Sequence, residues 1–578
     1  MASAQEIDAM ASNESGQENA AAKEVEDTTE TGNVEAKDSG ESGAAVNQDV
    51  EEKDIDEVTK GQDTAGEDTA TTVKSEEIAA KDTAEEGKGA EEVSQNQETA
   101  SGGKTQDQTF GRKLDFMEVV SIKCEANVTH VMVVESKYII NEDLLRQAAE
   151  MLSRRHPLLR SRVTTEIEPR KRKEVFFYRE IEKEENLIDL RIVDEVDWHE
   201  TQVNDGETLY DTENGPLWRL WLLKSVEITP EESETGHLFK TNIVVGYHHA
   251  IMDANTGMRF IDQLLTYLEM IVQVASAAKI EVESLPFLSS YYDQLPPQAL
   301  RFPWWQKPKL ATLAVKELFK SSKNLYIKHH QAEIDKNPDI AKRVEILPLV
   351  IPKSLTSEIM KCSKQHGVTV HGTITAASAV AMMQLIYGPE FQCKKEISTM
   401  FQINMRRYLP SDEGGDHLGA FFGNAEMPIK VSRVSKEEEF WKLAKTCYQN
   451  VHRMLGGEVM EIAKIYKYLC DDLGLDLVKI VVKDKAPHGR MKQVLSISNM
   501  GRCDFVTREN GRAFELTGTY MTAAPLRVGP IFVNNFFTFR GKMYVSIVYY
   551  SHITSKDRAK EYADFFVRAL EIGCQSND

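Results

Sequence analysis

The pattern of apolar and polar positions changes at Phe110, the first aromatic residue, and from there the sequence is typical of a globular domain. Asn141 is an N-cap residue, and the segment after it carries apolar residues at helical spacing until Pro157. A second amphipathic helix is predicted after Gly257. These two segments predict helices that each lay one apolar face on a core. The apolar positions of the second helix are Ile261, Leu264, Leu265, Leu268 and Ile271.

Apolar runs of strand length alternate with such helices along the whole remaining chain. Arg540-Gly541, between the last two runs, predicts a hairpin turn. Further helices are predicted from Lys353, over 373–385 after the cap residue Thr369, and over 556–572. This alternation predicts an α/β fold with mixed sheets. The predicted strands are residues 175–178, 217–223, 241–247, 343–351, 397–404, 531–539 and 543–550.

The irregular segment of residues 275–340 contains six prolines and separates two such α/β halves. We interpret it as a crossover. The predicted domains are therefore residues 110–340, which include the crossover, and residues 341–578. Together they have about 470 residues, enough for a large core and two domains at roughly 100–200 residues each.

The charge of the chain is concentrated at its beginning. The formal net charge is −22, and residues 1–109 hold 29 acidic side chains against 8 lysines, without any arginine or aromatic residue. Such a segment cannot bury enough apolar area to offset its conformational entropy, so we predict a disordered acidic tail. The rest is nearly neutral and lacks the basic field on which nucleic-acid binding depends.

Signals for membranes, secretion and disulfides are weak. There is no run of 18 apolar residues, and the first residues lack the basic and apolar regions of a signal peptide. The seven cysteines are scattered and form no C-x-x-C pair. We therefore expect reduced thiols, a cytoplasmic location and no transmembrane segment. Residues 473–482 are amphipathic; peripheral membrane contact through them stays open, but a packed core element is the preferred interpretation.

One motif carries chemistry: the predicted strand 241–247 ends at His248-His249, and Asp253 follows four residues after the second histidine. A neutral imidazole is a suitable general base near pH 7. Adjacent histidines also occur by chance, as at His329-His330, so pairing alone is a weak signal. His249 and Asp253 could also share a metal ion, but the preceding strand and the lack of an obvious third ligand argue against it. We expect no metal.

The motif from Tyr247 to Asp253 resembles the His-His-x-x-x-Asp-Gly signature of the superfamily of condensation domains and chloramphenicol-acetyltransferase-like, CoA-dependent acyltransferases. The closest likeness is to its alcohol acetyltransferase and wax-ester-synthase-like branch. Ala254 stands in place of the signature glycine. If that position needs a positive φ, alanine would strain the loop. Other segments that resemble the family are residues 155–160, 215–220, 402–406, 418–423 and 498–501.

The resemblance implies two similar subdomains with mixed sheets flanked by helices, a tunnel between them, and a monomer. It implies that His249 is the general base and that Asp253 is structural, paired with Arg406. His248 is expected to orient its neighbour. Asn499 and Tyr247 are candidates for lining the tunnel or binding the oxyanion.

The resemblance also implies acyl-CoA as a co-substrate, a small alcohol or amine as the acceptor, and no permanently bound cofactor. Basic residues near 483–492 are candidates for contacting CoA phosphates. Two alternatives stay open: an inactive relative that binds acyl-CoA, a lipid or a protein through the same cleft, and a peptide-bond-forming condensation domain. The second is disfavoured because no carrier module is evident in this chain.

Overall fold

The structure is a computed structural model. It describes residues 111–574 apart from gaps at 170–172, 183–186, 275–279, 307, 309–311, 313–323, 337–341, 410–414, 476–492, 508–510 and 524–528.

The first half of the described chain contains two longer helices and most of one large sheet. Its elements are α1 (Phe116–Lys123), β1 (Asn127–Ser136), α2 (Glu142–Arg155), β2 (Ser161–Glu168), β3 (Lys173–Glu180), β4 (Asp189–Val193), α3 (His199–Glu207), β5 (Trp218–Leu223), β6 (Val226–Glu227), β7 (Phe239–His248), α4 (Ala254–Val274), α5 (Tyr291–Gln294) and α6 (Leu325–Ile334).

The second half repeats this alternation. Its elements are β8 (Val344–Ile351), α7 (Lys353–Gln365), α8 (Val370–Tyr387), β9 (Lys395–Asn404), β10 (Phe422–Val431), α9 (Glu437–Arg453), α10 (Val459–Lys467), β11 (Leu495–Arg502), β12 (Phe514–Ala523), β13 (Phe532–Phe539), β14 (Lys542–Tyr550) and α11 (Lys556–Cys574).

The first sheet has the strand order β12-β1-β7-β5-β4, with β6 paired to β7. Its pairs are antiparallel except β4 with β5, so the sheet is mixed. Helices α2 and α4 supply apolar side chains to the same core as this sheet. Asn141 caps α2 as predicted, since its side chain accepts a hydrogen bond from Leu144 N at 2.9 Å.

The second sheet has the order β10-β9-β11-β13-β14-β8 and is also mixed, because β11 runs parallel to both of its neighbours. Its core includes α8, capped by Thr369 as predicted. At Gly372 an added Cβ would lie 3.0 Å from Tyr448 Cβ, so glycine allows α8 and α9 to pack closely. Among the described helices α8 is the one long and apolar enough to cross a membrane, but 78% of it is buried in this core, and core helices of soluble proteins also pass such a test.

Most predicted elements are confirmed within one to three residues. The predicted hairpin is present: Arg540 and Gly541 form a two-residue loop with φ of 50° and 71°, the conformation that matches the twist of the flanking strands. One boundary was wrong. Helix α4 begins at Ala254 rather than after Gly257, because Asp253 caps it.

The sheets do not follow the predicted domain division throughout. Strand β12 belongs to the second half in sequence but pairs along its length with β1, at the edge of the first sheet. The second half of the sequence therefore supplies one edge strand of the first sheet. The division between residues 340 and 341 stays a prediction.

Candidate active site

The histidine pair lies where β7 ends. The backbone N–H of His248 donates to the carbonyl oxygen of Leu217 at 2.8 Å, and that of His249 donates to Ala126 at 2.8 Å. Ile251 N then donates to His248 O at 3.0 Å and closes a turn that leads to α4. Hydrogen bonds to chain segments on both sides of β7 thus fix the backbone of the motif.

The His249 ring is arranged as a proton acceptor. Its Nδ1 lies 3.0 Å from the carbonyl oxygen of Met252. Because a carbonyl only accepts, Nδ1 carries the proton and Nε2 keeps its lone pair. Burial lowers the pKa of His249 below 6.5, although Asp253 and the Met252 carbonyl act in the opposite direction. The ring stacks on Phe422 with centroids 4.2 Å apart. His249 is therefore neutral near pH 7, with its ring plane held.

His248 has the opposite tautomer. Its Nδ1 accepts a hydrogen bond from Ala250 N at 3.1 Å, so the proton is on Nε2. That nitrogen is buried without a hydrogen-bond partner among the described residues. Tyr210 meets the ring edge-on at 6.1 Å, and burial lowers the pKa of His248 to about 3. A base role at His248 is disfavoured by this burial, and its orienting role stays a prediction.

Asp253 binds structural partners. Its Oδ1 accepts from Thr256 N at 2.8 Å, which makes it the N-cap of α4. Its Oδ2 accepts from Arg406 Nη1 at 2.8 Å and from Phe421 N at 2.9 Å. Burial raises the pKa of Asp253, but Arg406 and Thr256 outweigh it and leave the pKa below 3.8. The ion pair expected between Asp253 and Arg406 is therefore present, and it occupies the carboxylate that a shared metal would need.

The segment of residues 418–423 holds this loop from the second half. The carbonyl oxygen of Gly419 accepts from Asp253 N at 3.1 Å. The Phe421 ring lies under the Arg406 guanidinium, 4.3 Å from its central carbon, and the next residue, Phe422, stacks on His249. At Gly419 an added Cβ would lie 2.1 Å from the Phe421 ring, so only glycine fits.

Ala254, which replaces the signature glycine, is the first residue of α4. In the described part of the chain, positive φ at residues other than glycine occurs at Glu125 and Arg540, and Ala254 is not among them. Alanine therefore fits this position without backbone strain, and the substitution leaves the loop geometry intact.

Ala254→Gly should accordingly destabilise the protein, by roughly 0.5–1 kcal/mol, because glycine loses more backbone entropy in a helix than alanine. Denaturant unfolding of the two proteins measures the difference. A gain in stability of that size would contradict an unstrained Ala254.

Among the described residues, no hydrogen bond or ring contact joins the side chains of the other two candidates to His249. Tyr247 is buried in the first core, with its hydroxyl 3.4 Å from the carbonyl oxygen of Asp253. The Asn499 side chain accepts a hydrogen bond from Gly501 N at 2.9 Å in its own strand segment. Lining of a tunnel or oxyanion binding by either residue stays a prediction.

Two more residues belong to this site, Thr256 and Phe422, and sequence reasoning predicted a role for neither. Thr256 Oγ1 accepts from Asp253 N at 3.0 Å, completing a reciprocal cap; the D-x-x-T spacing at a helix start carries that signal. Phe422 stacks on His249 from far along the chain, and no local pattern marks that contact.

Two other predicted regions fall largely outside the described residues. Residues 483–492 lie outside them, and of 473–482 only 473–475 are described. Leu473 is 45% exposed, and Leu475 packs on a small cluster at Leu469 and Cys470. Among the described side chains, no group of three or more histidine, cysteine, aspartate or glutamate residues could hold a metal ion.

A cavity of about 220 Å³ lies between the two halves. Its walls come from α1 and α5 on one side and from β10 and α10 on the other. Two of its lining residues, Met405 and Gly423, flank Arg406 and Phe422 in sequence. The predicted tunnel itself stays a prediction.

Comparison with known proteins defines the class of this fold. The structure resembles trichothecene 15-O-acetyltransferase TRI3 from Fusarium sporotrichioides, at TM-score 0.56 and 12% identity over 81% of this chain and 96% of that one. It also resembles polyketide synthase associated protein 5 from Mycobacterium tuberculosis, at TM-score 0.52 and 14% identity over 80% and 98%. The condensation domain of the monacolin K polyketide synthase MokA matches at TM-score 0.53 and 14% identity over 80% and 97%.

The fold is thus that of condensation domains and related acetyltransferases. The family model for alcohol acetyltransferase matches residues 199–566, more than half of the chain. The chain therefore belongs to the alcohol acetyltransferase family and is an acyltransferase. No curated protein matched it in sequence.

Proposed function

We propose that this protein transfers an acyl group from acyl-CoA to the hydroxyl of a small alcohol, with His249 as the general base. The observation that carries the proposal is the tautomer of His249. Its Nδ1 donates to the Met252 carbonyl, which leaves Nε2 able to accept a proton. The lowered pKa keeps this ring neutral near pH 7.

In the proposed reaction Nε2 removes the proton of the hydroxyl as its oxygen attacks the thioester carbonyl. The tetrahedral intermediate then collapses, and the carbon–sulfur bond breaks. The imidazolium returns its proton to the departing sulfur, so the products are an ester and CoA as free thiol. Both substrates meet in one step, so no acyl-enzyme is needed, and their fixed proximity supplies much of the rate.

The alcohol acceptor is favoured over an amine by membership of the alcohol acetyltransferase family. The acyl-CoA donor is what that family implies. Asp253 has a structural role in this proposal. Its hydrogen bonds to Thr256 of α4 and to Arg406 of the second half anchor the turn in which His249 lies.

The direct test is to incubate the full chain with acetyl-CoA or a longer acyl-CoA and a panel of alcohols and amines. Thiol release and the acylated product, identified by mass spectrometry, should appear with at least one alcohol. Product with amines alone would replace the alcohol by an amine in the proposal. Absence of thiol release with every pair would overturn acyl-CoA as the donor.

A further inference from the structure

The cavity between the two halves is apolar. From the first half, Phe116 and Met117 of α1 line it; from the second half, Ala463 and Tyr466 of α10 do so. An apolar cavity of about 150 Å³ can stay dry and bind benzene, so about 220 Å³ suffices for a somewhat larger apolar group.

Short stretches of chain connect the cavity wall to the residues that contact His249. Cys124, which lines it, is two residues from Ala126, whose carbonyl oxygen accepts the hydrogen bond of His249 N. On the other wall, Asn424 follows Phe422 by two residues in β10, and residues two apart on a strand share a face. The ring that stacks on His249 and the amide that lines the cavity therefore project from the same side of β10.

Asn424 adds a polar side chain to the cavity wall. Its side chain is half-buried, and no hydrogen bond joins it to another described residue. Its amide can therefore bind an oxygen of a ligand whose apolar part extends along α1 and α10. Two aromatic residues of the lining, Phe116 and Tyr466, stack on each other with ring centroids 5.2 Å apart.

We propose that this cavity holds the apolar substituent of one of the two substrates, and that Ala463, Phe116 and Tyr466 set its maximum length. This inference rests on the proposed acyl transfer at His249. Since a cavity of about 150 Å³ binds the six carbon atoms of benzene, the volume of about 220 Å³ corresponds to a substituent of roughly six to nine carbon atoms. The substituent is either the acyl chain of the CoA thioester or the alkyl or aryl part of the alcohol.

Binding of each substrate can be measured without turnover in a variant that lacks the proposed base. His249→Ala protein is titrated by calorimetry with acyl-CoAs from acetyl to dodecanoyl and, separately, with 1-alkanols from ethanol to 1-dodecanol. In one series the dissociation constant should fall about fourfold per added methylene, equivalent to about 0.8 kcal/mol, and then level off once the cavity is full. The series that shows this pattern identifies the substrate whose chain is bound.

Variants of the cavity wall test the residues. Ala463→Leu and Ala463→Phe should move the levelling point to shorter chains and weaken the longest ligands at least tenfold, whereas Tyr466→Ala should move it to longer chains. Glu461→Phe is the matched control, because Glu461 is an exposed residue of the same helix that does not line the cavity. Circular dichroism checks that each variant is folded. If Ala463→Phe does not fold, Ala463→Leu and Tyr466→Ala still test the cavity proposal.

The outcomes separate the two proposals. In one outcome, binding depends on chain length and its levelling point moves in the Ala463 and Tyr466 variants, but the wild type releases no thiol. That result would support the cavity proposal and overturn the acyl transfer proposed at His249. Thiol release whose chain-length profile is the same in wild type, Ala463→Leu and Tyr466→Ala would leave the transferase standing and overturn the cavity proposal. Binding that is independent of chain length in both series would overturn it as well.

Discussion

His249→Ala should lower the rate of acyl transfer by roughly 10²–10⁴-fold, the usual contribution of a positioned general base. Removal of the ring deletes the Nε2 lone pair that accepts the proton in the proposed reaction, since Nδ1 donates to the Met252 carbonyl. The measurement is thiol release with the alcohol that the wild type uses best, at saturating acyl-CoA. A rate within threefold of wild type would contradict the role of His249.

His329→Ala is a matched control for this variant. His329 belongs to the second pair of adjacent histidines, in the exposed part of α6, and its ring packs edge-on against Tyr387. The substitution removes an identical side chain far from the motif in sequence, so it should leave the rate unchanged. Equal losses in both variants would point to a general effect on folding.

The pH profile should carry a second signature of His249. The base acts when neutral, and burial lowers its pKa below 6.5. Activity should therefore be lost only as pH falls through that lowered pKa, so the midpoint of the acid limb should lie below pH 6.5. An acid limb centred above pH 6.5 would indicate a base whose ring is more exposed than that of His249.

The local features of this site could be predicted from sequence because each has a local cause. Apolar residues of strand type run directly into His248, so the end of β7 was predicted within one residue. The two-residue turn at Arg540 and Gly541 follows from the backbone freedom of glycine beside two apolar runs. The pairing of Asp253 with Arg406 came from the family resemblance, since nothing local relates residues 153 positions apart.

The features that were missed depend on long-range packing. Strand β12 completes the edge of the first sheet although it follows β11 of the second sheet, and strand propensity alone does not select a partner sheet. Strand β1 was missed in spite of its β-branched residues, which do carry a local signal. Phe422 meets His249 because the loop before β10 returns to the motif, and a single sequence does not show that path.

Arg406→Ala should strongly lower the free energy of unfolding, because it breaks the ion pair with Asp253. The side chains of Arg406 and Asp253 are 12% and 6% exposed, and Arg406→Ala would leave the carboxylate buried without its counter-ion. Breaking such a pair from one side costs about 3–5 kcal/mol. Urea unfolding at pH 7 should show a loss of that order. An unchanged midpoint would contradict a structural role for the pair.

Arg406→Lys separates charge from geometry. Lysine keeps the positive charge but lacks the guanidinium plane that lies over Phe421, so it should restore only part of the lost stability. The double variant Asp253→Asn, Arg406→Ala should lose less than the sum of the two single variants, because neither charge is then left alone.

The pH dependence of this loss follows from the lowered pKa of Asp253. A carboxylate whose pKa is lower in the folded protein adds stability above its unfolded pKa near 3.8, and that stability is lost as pH falls through the lower, folded pKa. In Arg406→Ala the burial of Asp253 is no longer offset by the guanidinium, so the pKa of Asp253 in the folded variant rises. The free energy of unfolding of the variant therefore increases relative to that of wild type as pH falls. The stability gap should therefore be widest near neutral pH; it should narrow as pH falls through the raised pKa of Asp253 in the variant, and further as pH falls through the lowered pKa in the wild type. A gap that stays constant across this range would mean that Arg406 acts through its packing on Phe421 and not through the charge of Asp253.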